Sequence, residues 1–348
     1  MVAAIVLVAG CRRIDPAPAT GDLLLSISAG EMGTKRSDQE DGKKFQKLLV
    51  IITDDQNKFL QGKYLPMDDS PADKQENIEF TGLPAGKTYK VFAFANIDHA
   101  TWSPGFDFAQ IENQNFSSIL DENDKLKINQ LLTLTSGDVP GYPSGTGMLL
   151  TGWQEVFVGV NKNLGTVTLR RPVLRLNVLV RNHTGKKLLL TDLHFSAFNP
   201  KSAYLLDRWT AEGVPGVPPG DPTYTALHPI HASDPLEIPA SATDAQELVY
   251  TTLLFENAAT DRYKMFATLK LELDVNIYTS DYSLRETEDG CVLKLLDKET
   301  RQASEITYMS RNQDLTVVLN VYYEEVLDKF TFKVESWTTG VGGSHAFD

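Results

Sequence analysis

The sequence predicts an all-β protein, and three observations carry that prediction. The dominant hydrophobic period is two, turn residues punctuate the chain at short intervals, and long helical patterns are scarce. The clearest run sets Leu269, Leu271, Leu273, Val275 and Ile277 against Lys270, Glu272, Asp274 and Asn276, which predicts one buried and one wet face of an antiparallel strand. Leu174, Leu176, Val178 and Val180 alternate with Arg175, Asn177, Leu179 and Arg181. Leu315, Val317, Leu319 and Val321 alternate with Thr316 and Asn320, and Phe330, Phe332 and Val334 with Thr331, Lys333 and Glu335. Further strands are expected at 23–28, 48–53, 89–96, 165–170, 188–198 and 248–256. The turns are Leu83-Pro84-Ala85-Gly86, Asn182-His183-Thr184-Gly185 and Glu288-Asp289-Gly290. Many short strands with such punctuation point to β-sandwiches.

The N-terminus reads differently. Val2 to Gly10 is apolar, too short for a bilayer span of about 20 residues, and fits the apolar core of a secretory signal. It ends in Val8-Ala9-Gly10-Cys11, small residues before a cysteine, which resembles a bacterial lipobox with Cys11 as the acylated residue. No basic segment precedes the run, which points to a true start further upstream. Acyl chains contribute about 0.8 kcal/mol per buried methylene, so a multiply acylated Cys11 would hold the chain firmly at a membrane surface.

Two stretches lack strand signals. Residues 30–44 are polar and charged and are expected to form a mobile loop. Residues 211–244 carry seven prolines, from Pro215 to Pro239, and are expected to form an extended surface loop, because proline cannot sit inside a sheet. Residues 117–133 could hold a short helix. A domain boundary is placed at Arg171-Pro172. That gives a signal over 1–11, one domain over 22–171 and a second over 172–348, each of ordinary size.

Bulk composition narrows the function. The 348 residues carry 33 Lys+Arg against 46 Asp+Glu, a formal net charge of -13, so nothing global favours nucleic acid. With Cys11 accounted for, Cys291 stands alone, so no disulfide framework and no thiolate zinc site is available. His228 and His231 lie three apart around Pro229, without a surrounding carboxylate motif, and His194 reads as a sheet residue; no metal or other cofactor is expected. Asp54-Asp55-Gln56-Asn57 lacks the spaced acids of a calcium loop and reads as a hairpin turn. No phosphate loop, nucleophile elbow or zinc-protease signature occurs, and the chain reads as a non-enzyme. Of the four tryptophans, Trp209, beside the proline-rich stretch, is the candidate for an exposed contact with sugar.

Taken in order, these segments resemble a Bacteroidetes fimbrillin, the subunit family of type V pili. The resemblance rests on the lipobox at Cys11, a first strand Leu23–Ser28, a loop with basic residues, and a second strand Lys47–Asp54. It continues through Phe80 to Asn96, with Leu83-Pro84-Ala85-Gly86, Tyr89 and a closing Ala93-Phe94-Ala95-Asn96. Gly165–Arg175, then Ser310-Arg311-Asn312 leading into Leu315–Tyr323 and a last strand ending at Trp337, complete it.

The resemblance implies two transthyretin-like β-sandwich domains in tandem. It implies a lipoprotein precursor at the outer membrane, cut by a trypsin-like protease in the loop after the first strand, with Arg36 as the processing site. The released strand, Leu23, Leu24, Leu25 and Ile27 among its residues, is then replaced by a strand from another pilin subunit. The polar, glycine-bearing tail after Trp337 leans towards a tip or accessory subunit over a stalk pilin. The competing reading is a surface glycan-binding lipoprotein with no polymerising role.

Overall fold

The computed structural model of the chain describes residues 19–29, 45–70, 76–96, 107–127, 133–135, 149–200, 202–204, 206, 224–240, 246–257, 263–275, 277–279, 282–283, 291–296, 303–306, 308–324 and 329–339. Its strands are β1 Thr20–Ala29, β2 Phe45–Thr53, β3 Phe59–Ser70, β4 Glu76–Pro84, β5 Lys87–Ala95, β6 Thr133–Thr135, β7 Leu150–Val158, β8 Lys162–Leu169, β9 Val173–Asn182, β10 Leu188–Pro200 and β11 Ser202–Tyr204. They continue with β12 Tyr224–Ile230, β13 Leu236–Ile238, β14 Gln246–Phe255, β15 Lys264–Asp274, β16 Ile277–Tyr278, β17 Tyr282–Ser283, β18 Cys291–Val292, β19 Lys294–Leu296, β20 Ala303–Glu305, β21 Asp314–Glu324 and β22 Lys329–Thr339. One short helix, α1 Phe108–Glu112, and a 3-10 turn at Ser117–Ile119 interrupt them. The fold is all-β, and no described helix is long and apolar enough to cross a membrane.

The strands stack as two sandwiches. In the first, β4-β1-β8 faces β3-β2-β5-β7. The core between them holds Leu23, Leu25 and Ile27 from one sheet against Leu48, Val50, Ile52, Val91 and Ala93 from the other. In the second, β14-β9-β21-β22-β19-β20 faces a sheet built on β12-β10-β15. Its core sets Leu174, Leu176, Val178 and Val180 against Leu188, Leu190, Leu193 and Phe195. Among the described residues, β6 with β11 is the only strand pair joining the two groups. A third apolar cluster also joins them. Leu49, Ile51, Phe92 and Phe94, on the outer face of the first sandwich, meet Val173, Tyr204, Leu253 and Phe255 of the second. Ile111 and Ile119, from the α1 region, cover part of this cluster.

Three expectations need correction. The alternating run at 269–277 is buried only at Leu269 and Leu271, while Leu273, Val275 and Ile277 are exposed. The strand ends at Asp274, and β16 folds back on it at Asp274↔Ile277, beyond the reach of the facing sheet. The proline-rich stretch is not all loop, because β12 and β13 both pair with β10. β12 tolerates Pro229 because it is an edge strand, whose proline needs no second partner. Among the described residues of the stretch 117–133, where a short helix is expected, the helical element is the 3-10 turn at Ser117–Ile119, and the described α-helix lies earlier, at Phe108–Glu112, where Asp107 caps it by accepting from the Gln110 N–H at 3.2 Å.

Candidate assembly site: the first strand and its groove

β1 is a central strand, not an edge. It pairs antiparallel with β4, with Leu23↔Phe80 and Leu25↔Ile78 opposite each other. On its other side it pairs in parallel with β8, from Asp22↔Lys162 to Ala29↔Leu169. Leu23, Leu25 and Ile27 point inward and are fully buried, while Leu24, Ser26 and Ser28 are half-buried on the outer face. Burying three such aliphatic side chains contributes about 5–9 kcal/mol.

The groove that receives these side chains is shaped by glycine. A Cβ on Gly165 of β8 would lie 2.9 Å from Cδ2 of Leu25 and 3.1 Å from Cγ2 of Val156, so the missing side chain makes the socket for Leu25. A Cβ on Gly21 would meet the Gly159 carbonyl oxygen at 1.9 Å, so only glycine lets the start of β1 approach the β7–β8 connection. On the outer face Lys162 of β8 reaches over β1 to Glu79 of β4 at 3.0 Å, a half-exposed pair that contributes at most about 1 kcal/mol.

The head of the groove is latched by a turn. Gly86 takes a positive φ of 78°, closing the β4–β5 connection that the sequence marks with Pro84 and Gly86. Ala85 N–H donates to the Ala19 carbonyl at 2.8 Å and Gly86 N–H to the Val158 carbonyl at 2.7 Å. The Tyr89 hydroxyl donates back to the Pro84 carbonyl at 2.5 Å. Burial pushes the Tyr89 phenol above its ordinary value, and the Asp54 carboxylate pushes it further in the same direction.

Of the residues singled out from sequence, Leu23, Leu24, Leu25 and Ile27 share this strand, with Leu24 turned away from the core. Cys11, Arg36, Trp209 and the tail beyond Trp337 from residue 340 on lie outside the described residues. Asp54 closes the β2–β3 hairpin as expected, its Oδ1 accepting from the N–H groups of Gln56 at 2.9 Å and Lys58 at 2.8 Å. The parallel pairing with β8 and the Gly165 socket carry no local sequence signal, since both follow from register between strands far apart in the chain. Among the described residues, Asp192, His194 and His228 form the one group that brings three metal-ligating atoms together.

No protein-family model matches the chain, and no curated protein matches it at a significant level. Solved structures do. The fold is similar to that of a fimbrilin from Porphyromonas gingivalis W83, with a TM-score of 0.52, 14% identity and coverage of 92% of this chain and 98% of that one. It is also similar to a candidate cell adhesion protein from Parabacteroides distasonis, with a TM-score of 0.51, 11% identity and coverage of 92% and 97%. The class is therefore the all-β fold of fimbrillin and adhesion-protein structures. The resemblance read from the ordered sequence segments stands at the level of fold.

Proposed function

We propose that the chain is a structural, non-catalytic subunit of a cell-surface fimbria, in a tip, accessory or stalk position. In this reading it has two sandwich domains divided at Arg171-Pro172. It is exported as a lipoprotein through Cys11, cut at Arg36 in the connection after the first strand, and joined to a neighbouring subunit by strand exchange. The observation that supports this best is the position of β1. It fills the middle of a sheet, yet its only covalent link to the rest of the sandwich runs through residues 30–44. One cut there leaves β1 held by β4, β8 and apolar burial alone. A departing β1 would open a groove with unpaired backbone on both walls, the geometry that β-augmentation satisfies. The same cut would discard Cys11 and with it the membrane anchor.

The test is limited trypsin digestion of the full chain, followed by addition of a fluorescent peptide with the sequence of residues 19–29. The cut product should begin at Ser37, remain folded, and take up the peptide slowly, whereas uncut protein should not. Arg36→Gln should abolish the Ser37 product. A cut chain that never takes up the peptide would sink the exchange mechanism.

A second reading, a glycan-binding surface lipoprotein, draws support from Trp153 and Phe157, exposed at 43% and 61% on the edge strand β7. Glycan binding that Trp153→Ala abolishes, without any strand exchange, would favour it.

A further inference from the structure

The spacing Asp192-Leu193-His194 puts both polar side chains on one face of β10, because alternate residues of a strand share a face. Leu193 and Phe195 take the opposite face and are buried in the core. β12 runs antiparallel alongside, with Leu193↔Ile230 and Phe195↔Leu227, and this register sets His228 beside the pair. The Asp192 carboxylate is shared between the two rings. Its Oδ2 lies 2.7 Å from Nδ1 of His194 and its Oδ1 lies 2.6 Å from Nε2 of His228. The three ligand atoms lie within 4.8 Å of one another. Both rings are held in place by neighbours. His194 lies flat on Phe266 at 4.5 Å and 8°, and His228 packs on His231 at 3.7 Å. The side chains remain 26% to 44% exposed, so a solute can reach them.

We infer that Asp192, His194 and His228 bind a divalent transition-metal ion of the zinc type. Two imidazoles and one carboxylate are a donor set suited to Zn²⁺ and its neighbours, whereas Ca²⁺ and Mg²⁺ prefer all-oxygen sites and Cu(I) prefers sulfur. With metal–ligand bonds of about 2.0–2.1 Å, the ligand atoms of a tetrahedral site stand roughly 3.3 Å apart. The Asp192–imidazole hydrogen bonds are shorter than that, so the ion enters as Asp192 draws back by a fraction of an ångström. It takes the place of the hydrogens between the carboxylate and the rings: each neutral ring then carries its proton on the nitrogen facing away, Nε2 of His194 and Nδ1 of His228, and only a charged ring gives up a proton to solvent. Three protein ligands leave one position of a tetrahedron open to the outside. The ion would cross-link β12, an edge strand, to β10 at a point where the backbone ladder is irregular between Leu193 and Phe195. In the sequence His228 has only His231 nearby, three residues away. The partners that matter are a strand apart in space.

The test uses the full chain without a polyhistidine tag, with Co²⁺ as a spectroscopic probe and Zn²⁺ as competitor. One Co²⁺ per chain should bind, with ligand-field bands of histidine coordination that Zn²⁺ bleaches. His228→Ala and Asp192→Asn should each weaken binding at least about tenfold, since even losing a second-shell partner costs 10–100-fold. His183→Ala, whose ring stacks on Tyr322 at 4.5 Å elsewhere in the sandwich, should leave binding unchanged. Zn²⁺ should also raise the thermal midpoint of the native chain and not that of His228→Ala, which alters an exposed edge-strand position with little risk to folding. Co²⁺ binding that is absent at millimolar metal, or equal in the native chain and in His228→Ala, would overturn the proposal and leave the trio a cluster held by protons.

Discussion

β1 and β9 occupy the same place in their sandwiches and are tied into the chain in opposite ways. Each is the first strand of its group and lies between an antiparallel and a parallel neighbour, β4 and β8 for β1, β14 and β21 for β9. Each sends its chain across to the facing sheet, where β2 pairs with β5 and β10 with β15. The connections differ. β9 passes to β10 through a short turn locked by Asn182, whose Oδ1 accepts from Thr184 N–H at 3.0 Å and whose Nδ2 donates to the Lys186 carbonyl at 2.7 Å. β1 reaches β2 only across residues 30–44, a charged stretch with Lys35, Arg36, Lys43 and Lys44. Pairing and burial alone would therefore not set a permanent strand apart from one replaced in the proposed exchange. The covalent path would, because residues 30–44 carry four basic residues for a trypsin-like protease while the β9–β10 turn is short and hydrogen-bonded through Asn182.

The largest expected effect lies at the entrance to β9. There Asn312, at a φ of 59°, donates its N–H to the Val173 carbonyl at 2.8 Å, and Arg175 N–H donates to the Gln313 carbonyl at 2.9 Å. The neighbouring Arg311 is buried in an ion pair with Glu256 and also donates to the Tyr204 carbonyl at 2.7 Å. The start of β1 is held by uncharged donors instead: Ala85 N–H to the Ala19 carbonyl at 2.8 Å, Asn163 Nδ2 to the Asp22 carbonyl at 3.1 Å and Gly82 N–H to Asp22 Oδ1 at 3.2 Å. Arg311→Ala would leave Glu256 charged and unpartnered by its ion, which costs about 3–5 kcal/mol. Denaturant unfolding checks this, and a loss under 1 kcal/mol would mean that the ion pair does not hold β9.

Leu25→Ala and Leu176→Ala probe the two strands directly. Each truncates a fully buried leucine, so each should cost about 2–5 kcal/mol in the intact chain. The comparison sharpens after trypsin. In the cut chain Leu25→Ala should accelerate exchange of β1 for added peptide, while Leu176→Ala should leave that rate unchanged, because β9 has no free end to release. Equal acceleration by both would mean that exchange follows global unfolding and not strand departure.

Much of this comparison is legible in the sequence, and its limits are physical. Period-two alternation marks β9, β10, β15 and β21, and the Pro84-to-Gly86 turn marks the β4–β5 connection. Alternation cannot say where a facing sheet ends, so Leu273, Val275 and Ile277 read as core although they lie past it. It also cannot say which strands are covered on both sides. Arg175, Thr316 and Asn320 read as wet-face residues, yet all three are buried, Arg175 beside the second sandwich's link to the first and the others on the central strand β21. Proline density misplaced β12 because edge strands relax the rule that excludes proline. The Asp192, His194 and His228 trio and the Gly165 socket both depend on inter-strand register, which no local window contains.

The smallest effect concerns the tyrosines that latch the equivalent turns. Tyr89 follows the β4–β5 connection and donates to the Pro84 carbonyl, and Tyr263 follows the β14–β15 connection and donates to Asn257 Oδ1 at 2.7 Å and to its carbonyl at 3.3 Å. Tyr89→Phe and Tyr263→Phe should each cost about 0.5–1.5 kcal/mol, the net worth of one intramolecular hydrogen bond. For Tyr89 the effect carries a pH signature. The folded state favours the neutral phenol, so in the unfolded chain Tyr89 ionises near its ordinary 10.0 while in the folded chain it ionises higher. Its contribution to stability is therefore complete below pH 10 and declines as pH rises from there through the folded value, since the unfolded state loses its proton first. Unfolding curves at pH 8 and above pH 10 should converge between the native chain and Tyr89→Phe as the pH rises. A gap that stays constant would mean that the hydroxyl acts through packing alone, and the latch at the head of the β1 groove would then owe nothing to the buried phenol's proton.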